Sequence, residues 1–429
     1  MESDLQDIQS HSLEKGYIEN LLQVLEAASK EAGEQRDIEM VQNSDLREIL
    51  NLVEEFLRRK HRICYGGMAI NAHLPSSQKF YDLRKTLPDY DFFTPTPEED
   101  AAELKRMIEA AGFDPVVTRL GMHEGTYKVF VDYNSVADLT FMPIWMYKLL
   151  QKRALQLDGI YYADSDFLRM NMYLELSRPR GEVERWDKVY KRLLLLNMAK
   201  PPHIETCRGS KKKRVPRMSK ALHKALLQYC MLEKFIYLGA DLKRVYTSPK
   251  STKAGYMMHS QSPILAYVEN PEFHIPILRQ IVLDMEPGSH LKVLRWRGDG
   301  DRVPEMYGLQ KNGHLILCLI KEEYCHAYNE VQLPEGKTLR IASLDTTITL
   351  FYQLTYVRGM EGIVPSSVHC FADTLADISS RTRDKGKSGA FPAFAVTCHG
   401  HQPTKASLLK AKAERVQKHK TRKLKKKPT

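Results

Sequence analysis

Residues 64–74, CYGGMAINAHL, and residues 87–97, LPDYDFFTPTP, decide how this 429-residue chain is read. A short apolar strand, Arg62 to Tyr65, ends in Gly66 and Gly67 at the mouth of a helix-like stretch. Glycines there let the backbone approach a bound anion closely, and the free N–H groups and dipole of a helix start favour phosphate. Alone, such a pair is more often a tight turn. Asp89 and Asp91 then lie two apart on a predicted strand, so both carboxylates leave one face while Tyr90 and Phe92 leave the other. Asp138 sits in VADLTFM, where Ala137, Leu139 and Phe141 alternate into a core and leave the acid on the opposite face. Three carboxylates on adjacent strands can share a pair of Mg²⁺ or Mn²⁺ ions, which require hard oxygen donors and share them with substrate phosphates.

The spacing proves little without its context, since chance acid-x-acid matches are common. Asp299 and Asp301 in RWRGDGDRVP repeat it among glycines and a proline, with no double glycine or strand before them, and read as a loop.

Around the decisive stretches the pattern is a mixed α+β unit. Leu46, Ile49, Leu50, Val53, Phe56 and Leu57 recur at helical spacing behind a Ser44 cap, predicting a helix to about Lys60. Thr96 and Pro97 open another, with Glu98, Glu99 and Asp100 in its first turn and Gly112 at its end. The runs VVTRL, YKVFVDY and VADLTFM read as strands.

Taken in order, helix, strand-GG-helix, DxD strand, helix and a third Asp strand, the arrangement resembles the nucleotidyltransferase superfamily of DNA polymerase β and the poly(A) polymerases. The segments CYGGMAINAHL, LPDYDFFTPTPEEDAAELKRMIEAAGF, HEGTYKVFVDYNSVADLTFMP and DFLRMNMYLELSRPRGEVERWDKVYKRL narrow the resemblance. They look like the poly(A) polymerase catalytic subunits of large cytoplasmic DNA viruses, the poxvirus, asfarvirus and mimivirus-like group. Further on, KNGHLILCLIKEEY and RIASLDTTITLFYQLTYVRG resemble the later part of those proteins, whose second domain is a degenerate relative of the first.

The resemblance implies a polymerase-β-like catalytic domain over residues 41–200, after an N-terminal helical extension over 1–40. A basic linker and helix would fill 201–255, a second nucleotidyltransferase-like domain 256–395 and a basic flexible tail 396–429. It also implies that Gly66 and Gly67 cradle a triphosphate and that Asp89, Asp91 and Asp138 bind Mg²⁺ or Mn²⁺. ATP would be the substrate, and AMP would be added to an RNA 3′ end without a template. Asp132 competes with Asp138 for the third position. CCA addition, oligoadenylate synthesis or a non-catalytic RNA-binding processivity subunit are the alternatives, with a homodimer or a processivity subunit as further partners. A virion and host-cytoplasm location would follow.

The charge is unevenly placed. The net +11 comes from residues 405–429, with eleven basic side chains and one acid, and residues 208–220, with seven basic groups and no acid. The remaining body holds 46 basic and 52 acidic residues. Neither basic segment shows apolar periodicity over its basic core, so each reads as a loosely ordered arm suited to RNA phosphates, and KKKRVP also reads as a nuclear-import signal. Apolar runs such as Leu193–Leu196 are far too short to cross a bilayer, and the polar N-terminus lacks the form of a secretory signal, so an intracellular protein without a membrane role is expected. Seven cysteines without a CxxC pair suggest reduced, buried thiols.

Other residues carry weaker expectations. Arg178, Arg180, Arg185, Lys188, Lys191 and Arg192 form either a cationic approach to the active domain or a solvated face, and His123, Thr126 and Tyr127 either border the nucleotide or shape a strand turn. His369, Cys370, Cys398, His399 and His401 hold zinc-ligand types at no standard spacing. Trp145, Trp186 and Trp296 read as packing anchors.

Overall fold

In the computed structural model the described residues are 15–81, 88, 90–203, 218–247, 257, 260–300, 302–333, 336–360, 363–364, 367–383 and 386–425. Two helices come first, α1 (Lys15–Gln42) and α2 (Ser44–Lys60). The α2 cap is Asn43 rather than Ser44. Its side chain accepts from the N–H groups of Asp45 and Leu46 at 3.0 and 3.1 Å, a contribution of about 1 kcal/mol. The apolar stripe Ile49, Leu50, Val53, Phe56 and Leu57 is buried, as its spacing requires.

The chain continues through β1 (Ile63–Cys64), α3 (Gly66–His73), β2 (Tyr90–Thr94), α4 (Pro97–Ala110), β3 (Val116–Leu120), β4 (Thr126–Val131) and β5 (Asn134–Phe141). Next come α5 (Ile144–Arg153), β6 (Leu155–Leu157), β7 (Ile160–Tyr162), α6 (Ser165–Leu176) and α7 (Trp186–Ala199). These strands form one sheet in the order β3-β4-β5-β2-β1-β7-β6, parallel at β5/β2 and β1/β7 and antiparallel elsewhere. Asp100, in the first turn of α4, is buried. It holds a two-pronged pair with Arg62 at 2.7 and 3.0 Å and accepts from the Thr94 hydroxyl at 2.5 Å, tying the end of β2 to α4.

The second half comprises α8 (Lys220–Leu232), β8 (Ile236–Tyr237), α9 (Leu242–Thr247), β9 (Ile264–Val268), α10 (Pro271–Met285), β10 (Leu291–Trp296), β11 (Met306–Lys311), β12 (His314–Lys321), β13 (His326–Gln332), β14 (Thr338–Ala342), α11 (Leu344–Leu354) and α12 (Val368–Thr382). Short strands β15 (Lys387–Ser388), β16 (Phe391–Pro392) and β17 (Cys398–His399) lead to α13 (Lys405–Lys425). The second sheet runs β10-β11-β12-β9-β8-β14-β13-β17. Its first seven strands repeat the order and the parallel or antiparallel sense of the first sheet, strand for strand. The fold is thus a mixed α/β duplication, with a second, degenerate copy of the first unit.

The two copies pack through equivalent helices. The Phe167 ring of α6 meets Tyr356, just past α11, edge-on at 6.1 Å, and Arg153 lies 4.7 Å over the same Tyr356 ring. The buried Arg169 guanidinium faces Tyr352, and the buried Arg383 guanidinium pairs with Asp345 while lying 4.4 Å over Phe394. Trp186 and Trp296 donate their indole N–H groups to Glu175 and Arg358 carbonyls, as anchors should, whereas Trp145 is exposed.

Two expectations fail. A disulfide joins Cys325 and Cys398, with Cα atoms 5.6 Å apart, and Cys370 is also disulfide-bonded; Cys64, Cys230 and Cys318 are the buried free thiols among the described residues. The pairing of β13 with β17 brings together cysteines 73 residues apart, which spacing alone does not reveal. That bond also removes Cys398 from the zinc-type group, and His399 Nδ1 instead meets Glu322 at 2.9 Å. The tail is likewise not a loose arm over 405–425 but a helix. Its alanines, leucines and long basic residues favour helix, and Leu409, Ala413 and Val416 share one face. The core of the internal basic run, residues 204–217, lies outside the described residues. No helix among the described residues is long and apolar enough to cross a membrane.

Candidate active site

Asp91 of β2 and Asp138 of β5 are direct register partners on adjacent parallel strands, which places both carboxylates on one face of the sheet. Lys128 of β4 is the partner of Asp138 on its other side, and its ammonium forms an ion pair with the Asp138 carboxylate. The row therefore reads Asp91, Asp138, Lys128 across three neighbouring strands. Asp89 lies outside the described residues. Asp132 sits in the turn between β4 and β5 with φ +42°, six residues from Asp138 along the strand and out of this row.

Beside Asp91, the turn from β1 into α3 is built from glycine for steric reasons. Gly66 has φ +69°, and a Cβ there would stand 2.8 Å from Asp91 Oδ2. A Cβ on Gly67 would stand 2.7 Å from the Tyr81 hydroxyl and 3.1 Å from Arg192 Nη1. Tyr65, the residue before α3, makes no side-chain cap, so it leaves the first N–H groups of the helix their donor capacity.

An aromatic platform backs the carboxylates. Tyr65 stacks on Phe93 at 4.0 Å, and its hydroxyl meets Thr140 Oγ1 at 2.9 Å. Thr140 also meets Thr126 Oγ1 at 3.1 Å, so Thr126 belongs to this face, while the Tyr127 hydroxyl donates to Glu98 on the other side of the sheet. Burial, and then the charges of Asp91 and Asp138, push the Tyr65 hydroxyl well above its usual range, so it stays a neutral donor or acceptor.

Cations ring the site. Arg192 donates to the Tyr81 hydroxyl at 2.9 Å and lies 4.6 Å over Phe80. Burial works against the charge on Arg185, but its bond to Glu182 and the charges of Glu175 and Asp91 outweigh that and raise its pKa. Of the six cations expected here, Arg185 and Arg192 flank the site. Arg178 lies 4.1 Å over Tyr324 of the second half, and Lys191 pairs with Asp187 on the surface. Lys128 and the Tyr65–Phe93 stack went unnoticed in the sequence. Lys128 alternates with Thr126 on one strand face, but only the register shows that this face is the carboxylate face.

Half-buried carboxylates on adjacent strands, with a glycine cleared from beside one of them, form the hard-oxygen donor set that a divalent cation requires. A second group of ligand types, Asp166, His369 and Asp373, has its ligand atoms within 4.8 Å of one another. There Asp166 already binds His369 Nε2 and Arg169 Nη1, each at 2.6 Å, and Asp373 accepts from the Tyr352 hydroxyl. With a guanidinium in place, this cluster is an ion-paired latch between α6 and α12.

The corresponding positions of the second sheet carry no such chemistry. Leu265 pairs with Cys318 as Asp91 pairs with Asp138, and both are fully buried. Gly239 takes the place of Gly66, but a Cβ there would stand 1.8 Å from the Tyr237 hydroxyl, so the equivalent pocket is filled by the protein's own ring.

Residues 51–182 match the model of the family described as Poly(A) polymerase catalytic subunit. A protein of Acanthamoeba polyphaga mimivirus, provisionally named a poly(A) polymerase catalytic subunit, is 28% identical over 154 residues, which are 35% of this chain and 26% of that one. A protein of African swine fever virus (isolate Tick/Malawi/Lil 20-1/1983), named in the same way, is 31% identical over 185 residues, 41% of this chain and 38% of that one. The matched segments thus span well under half the length of these relatives. The crystal structure of the Megavirus polyadenylate synthase superposes with a TM-score of 0.74 at 17% identity, covering 96% of this chain and 84% of that one, so the two share a fold. The segment that carries Gly66, Gly67, Asp91 and Asp138 is therefore similar in sequence to the viral poly(A) polymerase catalytic subunits, within a chain that has the fold of a polyadenylate synthase.

Proposed function

We propose that this chain is a template-independent polyadenylate polymerase that transfers AMP from ATP to the 3′ end of RNA. The observation that carries the proposal is the register pairing of Asp91 with Asp138 beside the glycine turn that opens α3. Residues 41–200 form the catalytic unit in this reading, and residues 256–395 support it. Asp91 and Asp138, together with Asp89, would hold Mg²⁺ or Mn²⁺, which supplies Lewis-acid activation of the 3′-hydroxyl and neutralises the leaving pyrophosphate. The chain's own groups do the rest. Gly66 and Gly67 bring backbone donors up to the phosphates, Arg185 and Arg192 attract the polyanion, and Lys128 limits the repulsion that two adjacent carboxylates would otherwise suffer.

The test is incubation of the full chain with Mg²⁺, a short RNA and each nucleoside triphosphate separately. Extension with ATP alone is the expected result, and no extension with ATP would refute the proposal. Sequential use of CTP and ATP would point to CCA addition, and products without the RNA primer to oligoadenylate synthesis.

A further inference from the structure

The loop between β10 and β11 belongs to the second half of the chain, yet it reaches the carboxylate face of the first. Its Arg302 guanidinium lies 5.4 Å over the ring of Phe93, two residues after Asp91 on β2. Phe93 is the ring on which Tyr65 stacks, and Tyr65 immediately precedes Gly66. At the Tyr65 hydroxyl the charge of Arg302 works against burial and the charges of Asp91 and Asp138, and is the smallest of these effects. Arg302 therefore stands on the Phe93–Tyr65 platform, on the sheet face that carries the carboxylate pair and beside the residue that opens the glycine turn.

The acid that resembled a stray motif fixes this arginine. Asp299 is almost fully buried, with one carboxylate oxygen taking Arg302 Nε at 2.9 Å and the other the Val303 N–H at 2.8 Å. The Asp299 N–H closes the turn onto the Val303 carbonyl at 2.9 Å. Because the carboxylate holds Nε, the two terminal nitrogens of Arg302 remain as a fork, and among the described residues they have no hydrogen-bond partner. A buried anion that fixes the inner nitrogen and a ring that supports the plane together preorganise a guanidinium for bidentate binding. Asp301, the second acid of the repeated spacing, lies outside the described residues.

We propose that Arg302, held by Asp299, binds the phosphate tail of the incoming nucleoside triphosphate, so that the degenerate second copy completes the nucleotide site of the first. The proposal rests on the polymerase reading. It assigns the nucleotide rather than the RNA backbone because Arg302 sits over the platform that leads into the Gly66 turn, where the polymerase reading puts the triphosphate.

The experiment measures equilibrium binding of Mg-ATP, inorganic tripolyphosphate, adenosine and a short oligoadenylate to the full chain by calorimetry. Arg302→Ala should weaken ATP and tripolyphosphate by about tenfold or more and leave adenosine and oligoadenylate within about twofold, a selectivity that destabilisation from the unpaired Asp299 would not produce. Arg302→Lys should fall between, because it keeps charge without the fork, and Asp299→Asn should weaken the same two ligands less. Unchanged triphosphate binding in Arg302→Ala, or a loss confined to oligoadenylate, would overturn the assignment. A wild-type chain that binds triphosphate through Arg302 but extends no RNA would instead sink the polymerase reading and leave Arg302 standing.

Discussion

Asp91 and Asp138 face one another across β2 and β5 as direct Cα partners, with Lys128 paired to the outer carboxylate. Two acids placed side by side repel one another, and Lys128 offsets part of that repulsion at Asp138; under the proposed reading a divalent cation offsets the rest. Asp91→Ala and Asp138→Ala should each abolish nucleotide incorporation while RNA binding persists. Unimpaired incorporation by either variant, measured by primer extension, would show that this pair holds no catalytic cation.

Gly66 combines φ +69° with a side-chain oxygen of Asp91 only 2.8 Å from where its Cβ would be. Gly66→Ala should therefore cost about 1–2 kcal/mol of backbone strain and also push Asp91 out of register with Asp138. The expected result is a lower melting temperature and a loss of incorporation beyond what the stability change explains. A variant with wild-type incorporation would mean that the turn tolerates a side chain and approaches nothing.

His369 of α12 binds Asp166 of α6 at 2.6 Å, and that bond, opposed by burial, holds the imidazolium above its usual pKa, with Asp373 adding to it and Arg153 working against it. A group whose pKa is raised in the folded state stabilises fully below its unfolded value, near 6.5, and loses that contribution as pH rises through the folded value. The melting temperature of His369→Gln should thus lie furthest below wild type under mildly acidic conditions, with the gap closing above neutrality. A gap that widens with pH would contradict the latch.

The Cys325–Cys398 disulfide closes 73 residues at the β13–β17 edge of the second sheet, remote in topology from the carboxylate row. Replacing both cysteines with serine should lower stability by about 2–4 kcal/mol without changing incorporation at moderate temperature. A chemical-denaturation midpoint equal to that of wild type would show that the bond contributes nothing.

Much of this was legible because local patterns decide it. The stripe from Ile49 to Leu57, Pro97 with its acidic first turn, and the alternation around Asp138 each specify an element without knowledge of its neighbours. Lys128 and Arg302 were not legible, because both acquire meaning only from pairing between strands or halves distant in sequence. For Asp299, glycines and a proline correctly indicated a loop, but nothing local shows which surface a loop overhangs. The cysteine pair was hidden for the same reason.

The basic C-terminal segment shows what charge counting omits. On α13, Arg415 donates to the Met122 carbonyl at 2.6 Å and His419 meets Glu98 at 3.0 Å, the latter bond being the main cause that holds Glu98 below the usual carboxylate range. Val416, His419 and the stems of Lys412 and Lys420 close a cavity of about 450 Å³ against Leu120, Tyr127 and Ala102. Deleting residues 405–429 therefore removes a packed helix as well as a net charge of +10, and weaker grip on RNA cannot be separated from damaged structure in that deletion. Substituting Lys410, Lys418 and Arg422, which are exposed, with Gln separates the two. That variant should keep the wild-type melting temperature, because the docked face is intact. If these side chains neutralise RNA phosphates, the slope of log Kd against log salt should flatten by about 0.7 for each single-strand phosphate that is no longer neutralised. Single-nucleotide addition should survive while tails shorten. An unaltered slope together with full-length tails would leave α13 as a structural strap across α4 and β3 with no part in holding RNA.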